Sequence, residues 1–523
     1  MKISLAQLNY SIGDFEANSK KIIDAIERAK NEESKLIVFT EMALCGAPAC
    51  DLLGDISFLE KCDETLDIIA KHCDNITALI GTPYKHTSGT ISAVAIVRNS
   101  RVEKYIGKKK INNRHEAAYI APSEGCEFIE VDGHKIAVVL GEDVLVENEY
   151  GIKPELIINC YKSIYSRGIV ERRHQYFSNK AFELGKTLIL TNIVGGNTDI
   201  IYDGNSTVYN SRGELILMMK PFAEDFVTFN PFEQNTPIEF PAQDKTHNVY
   251  SAIKLGLSDY FRKNGFKKAC VGLSGGIDSS VVCAMCAETL GAENVHALMM
   301  PSQYSTDHSI TDAVELANNL GIQYDIVPIR DIFDTTRKTM APVFGDRKED
   351  VTEENMQSRI RGLLLMSYSN KFGSVVINCS NKSEAAVGYG TMYGDTIGAL
   401  SLLGDLYKME VYDLARHINR NGEIIPRSII DKEPSAELRP DQKDSDSLPV
   451  YEVLDSILYR LIEQNQSVEE IAEVGFDQEE VAQVARLVRR NEYKRYQFCP
   501  VLKLSTQAFN KDRQMPITAK YQF

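Results

Sequence analysis

The residues best suited to chemistry form one glycine-rich segment, Ser274-Gly275-Gly276-Ile277-Asp278-Ser279-Ser280. It follows a short apolar run that ends at Leu273 and precedes an apolar run with helical spacing that begins at Val281. A strand, a glycine turn and a helix start in this order gather unpaired backbone N–H groups and the positive end of a helix dipole. The segment therefore predicts a phosphate site. Its expected lining residues are Gly272, Leu273, Ser274, Gly275, Gly276, Ile277, Asp278, Ser279 and Ser280.

One carboxylate, Asp278, lies inside this phosphate segment. The P-loop signature is absent, because no Gly-Lys-Ser/Thr follows the glycines. A carboxylate repels phosphates unless a divalent cation lies between them, so Asp278 is predicted to bind Mg²⁺. The alternative is an ordinary Gly-Gly turn that Asp or Ser caps.

The same segment resembles the SGGxDS pyrophosphate loop of enzymes that split ATP between the α and β phosphates in order to adenylate a substrate. The resemblance implies that ATP is a co-substrate. It does not specify the group that is adenylated.

Composition limits the class of protein and its partners. A chain of 523 residues with 43% apolar and 25% charged residues is typical of a globular protein with two or three domains. The formal charge of -15 argues against nucleic acid or a membrane surface as a general partner. We expect no signal peptide or membrane span. Eleven cysteines without paired close spacing indicate reduced thiols and a cytoplasmic location.

The pattern along the chain predicts two α/β domains, residues 1–240 and 241–523. Strand and helix patterns alternate up to about Phe229, which indicates a layered α/β domain. Prolines and polar residues without periodicity between Phe229 and Asn248 indicate a linker. The second part repeats strand and then helix, which predicts a doubly wound parallel sheet with ligands at the carboxyl ends of its strands.

Glu41 ends an apolar strand in the first half, a position from which a carboxylate can act as a general base. The segments from Phe39 to Pro48 and from Gly107 to Asn112 resemble the glutamate and lysine segments of nitrilase-type amidohydrolases. This resemblance implies an α-β-β-α layered fold and a catalytic set of Glu, Lys and Cys. It places the glutamate at Glu41 and the lysine at Lys108, with Lys109 or Lys110 as alternatives.

The third member of that catalytic set is missing from its expected place. The family has Cys-Glu-Asp after the strand that ends at Leu140, and this chain has Gly141-Glu142-Asp143. Amide hydrolysis by this route needs a thiolate that forms a thioester, and glycine has no side chain. We therefore expect a retained fold without its own amidase activity. Cys126 and Cys160 are the nearest candidates for a substitute nucleophile.

Five further segments in the second half carry amide, carboxylate and cationic groups. They are Glu353 to Arg361, Asn378 to Glu384, Tyr389 to Asp395, Pro434 to Leu438, and Lys494 to Gln497. With the phosphate segment, they resemble the two-domain glutamine-dependent NAD synthetases, which have a Rossmann-like synthetase domain of the adenine nucleotide α-hydrolase type. The resemblance implies that Cys379 contacts ATP, where that family usually has threonine, and that Asp278 and Glu384 bind Mg²⁺. It implies that deamido-NAD contacts Asn355, Glu384, Lys494, Lys408 and Asp395.

The function implied by this resemblance is the amidation of deamido-NAD. ATP converts the nicotinate carboxylate into an acyl adenylate, and ammonia then gives NAD and AMP. Because of Gly141, we predict that free ammonia is used. We also expect the chain to form a homo-oligomer. The alternatives are glutamine hydrolysis by another thiol, and a first half that acts as a non-catalytic assembly or regulatory module. A ligase acting on GMP precursors, tRNA bases or aspartate is a further alternative.

Overall fold

The computed structural model describes residues 1–111, 114–123, 127–143, 154–440, 442–509 and 511–520. The chain separates into two compact units, Met1–Gln243 and Asp244–Phe523. Among the residues within these ranges, no helix is long and apolar enough to cross a membrane.

The first unit consists mainly of strands. Its described strands are β1 (Ile3–Gln7), β2 (Leu36–Val38), β3 (Thr77–His86), β4 (Gly89–Arg98), β5 (Arg101–Gly107), β6 (Glu127–Val131), β7 (His134–Leu140), β8 (Leu156–Tyr161), β9 (Thr187–Asn192), β10 (Val194–Asn197), β11 (Ile200–Asp203), β12 (Thr207–Tyr209), β13 (Leu215–Met218) and β14 (Asp225–Phe229). Its described helices are α1 (Phe15–Asn31), α2 (Ile56–Ala70), α3 (Arg114–Ala117) and α4 (Ile169–Leu184).

Two six-stranded sheets form the centre of this unit, in the orders β14-β1-β2-β3-β4-β5 and β13-β12-β9-β8-β7-β6. Successive side chains on a strand point to opposite faces. Val38 of β2 accordingly packs in the core that also contains Val138 of β7, whereas Ile37 packs in a second core with Ile22 of α1. On the other sheet, Val139 packs in a core with residues of α4. The predicted α-β-β-α layered fold is confirmed.

Strand direction determines where the chemical groups of the first unit lie. Strands β1, β2 and β3 are parallel, and β5 runs in the same direction because it pairs antiparallel with β4, which pairs antiparallel with β3. Strands β7, β8 and β9 are also mutually parallel. Lys108, Gly141 and Lys162 directly follow β5, β7 and β8, and Glu41 lies three residues beyond β2. All four residues therefore lie at or just beyond the carboxyl ends of parallel strands.

The second unit alternates strands with helices. Its strands are β15 (Ala269–Gly272), β16 (Val295–Met299), β17 (Gln323–Ile326), β18 (Val375–Asn378) and β19 (Leu400–Ser401). Its helices are α5 (Lys245–Asn264), α6 (Ile277–Leu290), α7 (Asp307–Leu320), α8 (Arg330–Phe344), α9 (Val351–Phe372), α10 (Lys382–Val387), α11 (Lys408–Ile418), α12 (Arg427–Asp431), α13 (Tyr451–Ile462), α14 (Val468–Glu473), α15 (Gln478–Arg490) and α16 (Glu492–Arg495).

The sheet of the second unit is parallel and has the order β17-β16-β15-β18-β19. The chain enters at β15, moves outward to β17 and then crosses to β18 on the other side. Such a reversal leaves a crevice at the carboxyl ends of the central strands, where ligands bind in open α/β sheets. This arrangement confirms the predicted doubly wound, Rossmann-like fold.

Candidate active site

The phosphate segment turns from β15 into α6 as predicted. Gly275 has a φ of +80°, and a Cβ atom there would lie 2.2 Å from the backbone oxygen of Ser309. The backbone N–H of Gly276 donates to Ser274 Oγ at 3.2 Å, and Ser280 Oγ donates to the Gly276 oxygen at 2.8 Å. The glycine and the two hydroxyl groups therefore hold the turn in shape.

An alanine in place of Gly275 is expected to weaken ATP binding roughly tenfold, because its Cβ must displace backbone at a cost of about 1–3 kcal/mol. Isothermal titration with ATP measures this change. Gly265 is the matched control, since it has a φ of +72° but a Cβ added there would have no neighbouring atom within 4 Å. Equal effects of the two substitutions would contradict a steric role for Gly275.

A cavity of about 460 Å³ opens beside this turn at the carboxyl ends of the central strands. The predicted residues that line it are Gly272, Leu273, Ser274, Gly276, Ile277, Asp278, Ser279, Asn355, Cys379, Glu384, Asp395, Lys408 and Lys494. Among the described residues, Gly275 and Ser280 are not part of this lining. Gly275 faces the backbone of α7, and Ser280 is fully buried inside α6.

Two carboxylates and one ammonium group meet inside the cavity. Lys408 Nζ forms a short ion pair with Asp278 and lies 3.5 Å from Glu384 Oε1. Asn381 caps α10 by accepting the N–H of Glu384 at 2.9 Å, and its Nδ2 donates to Asp278 Oδ1 at 3.1 Å. Burial, with the nearby charge of Asp278, raises the pKa of Glu384 to about 8. Burial lowers the pKa of Lys408, but the two carboxylates raise it more, so this lysine is charged.

The donor atoms of this pair fit Mg²⁺. Carboxylate oxygens of Asp278 and Glu384 lie close enough to contact the same ammonium nitrogen. Magnesium in proteins usually takes one or two carboxylates, and substrate phosphates and water complete its coordination. The phosphate turn beside Asp278 provides room for those phosphates.

Magnesium is expected to bind more tightly as the pH rises from 7 to 9. A proton and a metal ion compete for the Glu384 carboxylate, whose pKa is raised to about 8. Below that value, each pH unit should strengthen binding by up to about tenfold. Thermal unfolding at several Mg²⁺ concentrations measures the apparent Kd. Glu384→Gln should flatten this dependence, whereas Glu452→Gln on an exposed helix face should preserve it. A pH-independent Kd would contradict the assignment.

The loop after α10 brings the remaining predicted substrate residues together. Thr391 donates its hydroxyl to Asn355 Oδ1 and its N–H to Asp395 Oδ1, both at 2.7 Å. Lys494 Nζ donates to the backbone oxygens of Gly388 at 2.7 Å and Gly390 at 2.9 Å. One glycine-rich loop thus positions an amide, a carboxylate and an ammonium group.

Cys379 follows β18 and lines the same cavity. Burial raises the pKa of its thiol well above the ordinary value, so the sulfur is protonated. It acts here as a small neutral group.

Sequence reasoning missed three charged residues that line this cavity in the described part of the chain, Lys432, Glu433 and Asp444, of which Lys432 carries the positive charge. Its Nζ lies 2.9 Å from Glu437 Oε1 and forms a short contact with Ser309. Lys432 lies two residues before the predicted Pro434 to Leu438 segment, and this proximity could have identified it from the sequence.

The first unit brings Glu41, Lys108 and Gly141 together. Ser92 Oγ donates to Glu41 Oε1 at 2.8 Å, and Lys108 Nζ lies 3.2 Å from the same oxygen. A Cβ on Gly141 would lie 3.0 Å from Lys108 Nζ and 3.7 Å from Glu41 Oε2. The backbone N–H groups of Lys109 and Lys110 instead donate to Asp143. The ammonium group of Lys108 thus meets Glu41, as the resemblance implied for this register.

Two more charged residues, Glu116 and Lys162, complete this centre. Lys162 Nζ lies 2.7 Å from Glu116 Oε1 and 3.4 Å from Glu41 Oε1, and Lys108 Nζ lies 3.0 Å from Glu116 Oε2. The position of Lys162 after β8 was the signal in the sequence that could have identified it.

Cys160 is poorly placed to replace the missing nucleophile. It is fully buried among the apolar residues between the two sheets. Burial raises the pKa of its thiol to about 12, so the nucleophilic thiolate is scarce at neutral pH. Cys126, the other candidate, lies outside the described residues.

Comparison with known proteins agrees with both halves of this geometry. Residues 2–230 match the carbon-nitrogen hydrolase family, and residues 249–498 match the NAD synthase family. The glutamine-dependent NAD(+) synthetase of Thermotoga maritima is 38% identical, over 100% of this chain and 99% of that protein. The corresponding protein of Synechocystis is 39% identical, over 99% of each chain.

Solved structures give the same result. The glutamine-dependent NAD+ synthetase of Acinetobacter baumannii, in complex with adenosine diphosphate, has a TM-score of 0.79 and 34% identity, over 99% of this chain and 98% of that chain. A glutamine-dependent NAD(+) synthetase from Cytophaga hutchinsonii shares the fold, with a TM-score of 0.87 and 22% identity over 99% and 98% of the two chains. This chain therefore belongs to the two-domain NAD synthetase family, whose members are ligases that form a carbon–nitrogen bond.

Proposed function

We propose that this NAD synthetase takes its nitrogen from free ammonia. The observation that carries the proposal is Gly141, which stands beside Lys108 and Glu41 without a side chain. A thioester route needs a sulfur at this point, and Cys160 is buried with a raised pKa. Ammonia would therefore reach the second unit from solution rather than from glutamine hydrolysed by the first.

The residues of the cavity suit the adenylation of deamido-NAD. Its nicotinate carboxylate is anionic and lacks a good leaving group, so it must be activated before ammonia can attack. The turn at Ser274 to Ser280 would hold the pyrophosphate of ATP, with Cys379 beside the nucleotide. Asp278 and Glu384 would hold Mg²⁺, which when bound screens the phosphate charge.

The glycine-rich loop would bind the dinucleotide. Asn355 and Asp395 offer an amide and a carboxylate for its polar groups, and Lys494 and Lys408 offer positive charge for its phosphates and carboxylate. In this assignment residues 241–523 perform the synthesis, and residues 1–240 keep a nitrilase-like fold without hydrolysing an amide.

Glutamine dependence is the second candidate. The relatives that match the whole chain are named glutamine-dependent, and Glu41 and Lys108 are in contact here. Because residue 141 is glycine, this candidate function requires the thiol of another residue as the nucleophile.

One experiment on the purified full-length chain distinguishes the two candidate functions. Deamido-NAD and Mg-ATP are supplied with either ammonium or ammonia-free glutamine, and NAD is measured. We expect NAD from ammonium and at most a trace from glutamine. Incorporation of amide ¹⁵N from glutamine into NAD, at a rate comparable with ammonium, would contradict the proposal. A glutamine-analogue adduct located by mass spectrometry would then identify the thiol.

A further inference from the structure

Four charged side chains of the first unit contact one another. We call Glu41, Lys108, Glu116 and Lys162 the ion cluster. Each lysine contacts both glutamates, at nitrogen–oxygen distances between 2.7 and 3.4 Å. Two positive and two negative charges therefore balance. The exposed fractions of the four side chains are 0% for Glu41, 8% for Lys108, 12% for Glu116 and 16% for Lys162.

Lys162 is held in its charged form by this cluster. Burial lowers the pKa of Lys162, but the charges of Glu41 and Glu116 raise it more, and the net direction is upward. Burial raises the pKa of Glu116, and the two lysines lower it more, so this carboxyl is ionised. Displacing the Lys162 ammonium would leave a buried excess of negative charge.

Glu41 has one oxygen that is engaged and one that is not. Oε1 accepts from Ser92 and contacts both lysines. Oε2 is buried without a hydrogen-bond partner among the described residues, and it lies 3.7 Å from the position of a Cβ on residue 141. The base and the nucleophile position thus still face each other.

An amide substrate must fit between those two groups. Its carbonyl carbon has to come within bonding distance of a sulfur on residue 141, and its nitrogen has to come within about 3 Å of the carboxylate that protonates it. Glu41 is fully buried, and Lys162 is the most exposed of the three cluster side chains that surround or neighbour it. Within the cluster, Lys162 is therefore the side chain nearest to solvent, from which an amide would have to arrive.

We propose that Lys162 is a second block to amide hydrolysis, because its side chain fills the space beside Glu41 that the amide of glutamine would have to enter. The inference rests on the proposed use of free ammonia and extends it. The first unit then lacks both the nucleophile and the room for its substrate. Restoring the sulfur alone should not restore hydrolysis.

The test uses full-length variants that restore a thiol with and without Lys162. They are Gly141→Cys, Gly141→Cys with Lys162→Ala, and Gly141→Cys with Lys162→Met, where methionine keeps bulk but not charge. Each is treated with an electrophilic glutamine analogue, and adducts at residue 141 are located by mass spectrometry. Glutamate release from glutamine is measured in parallel.

We expect an adduct and glutamate release from the alanine double variant at a rate at least tenfold above that of Gly141→Cys alone and of the methionine double variant. Equal rates in Gly141→Cys and the alanine double variant would overturn the proposal. Equal rates in the two double variants would overturn the space-filling role. The absence of any reaction in both double variants would overturn the whole proposal.

Folding is checked separately, because alanine at position 162 leaves the cluster with an excess of one negative charge. Thermal unfolding followed by circular dichroism reports whether the first unit of each variant is folded, and ammonium-dependent NAD synthesis reports the second unit. Should the alanine variant unfold, Lys162→Gln takes its place, since glutamine is shorter than lysine and can still donate to Glu116. The proposed function is tested on the unaltered chain, so its failure is distinguishable from failure of the block by Lys162.

Discussion

Asparagine in place of Asp278 is expected to lower NAD synthesis by about 100- to 1,000-fold, as with the loss of one preorganised group that stabilises developing charge. Asp278 is the carboxylate closest to the phosphate turn, and it contacts Lys408 and Asn381. Asparagine keeps the size and one oxygen but removes the charge that would hold Mg²⁺. Steady-state kinetics with saturating ammonium should show the loss mainly in kcat.

Asp307→Asn is the matched control. Asp307 also lies in the first turn of a helix of the second unit, but it is exposed and lies outside the cavity lining. We expect its rate to stay within about twofold of the unaltered enzyme, as is usual for exposed positions. Similar losses in both variants would indicate a general effect of helix charge and would contradict the metal assignment.

Methionine in place of Lys382 is expected to destabilise the second unit by roughly 3–5 kcal/mol, the usual cost of breaking a buried ion pair by removing one partner. Lys382 Nζ is fully buried between Asp405 at 2.7 Å and Glu463 at 2.5 Å. It also donates to Ser505 Oγ at 2.8 Å. Because methionine has nearly the same volume as lysine, the loss of stability reflects the carboxylates of Asp405 and Glu463, which are left without a counter-charge.

Denaturant unfolding followed by circular dichroism measures this loss. The control is Lys443→Met, which removes an exposed lysine paired with Glu433 at 2.7 Å. Exposed pairs contribute less than about 1 kcal/mol, so this variant should unfold close to the unaltered protein. A Lys382→Met midpoint equal to that of Lys443→Met would show that the buried pair contributes no net stability.

Local order along the chain was sufficient to predict the phosphate turn. A strand, a glycine pair and a helix start are adjacent in sequence, so the turn that includes Ser274, Gly276 and Asp278 follows from short-range rules. The same reasoning placed Glu41 at a strand end, and the resemblance to nitrilase-type amidohydrolases identified Lys108, which also follows a strand end in the structure. In the structure, those ends converge because the strands that carry them run in the same direction.

Contacts between distant residues could not be predicted in this way. Lys162 reaches Glu41 and Glu116 across separations of 121 and 46 positions. Lys162 follows β8 of one sheet and Glu41 lies beyond β2 of the other, so they meet only once the two sheets are packed together. Local rules also did not distinguish residues that line the cavity from residues that shape it. Gly275 satisfies the same pattern as Gly276, but its φ and its contact with Ser309 become visible only once α7 is in place.

The ammonium group of Lys408 has a consequence for the protein when magnesium is scarce. At neutral pH it balances the charge of Asp278, and Glu384, whose pKa is raised to about 8, is then mostly protonated, so the two side chains do not depend on a metal ion to remain together. Chelation should therefore switch the enzyme off without unfolding it, and returning the ion should restore activity at once. We therefore expect the protein to remain folded when no Mg²⁺ is bound.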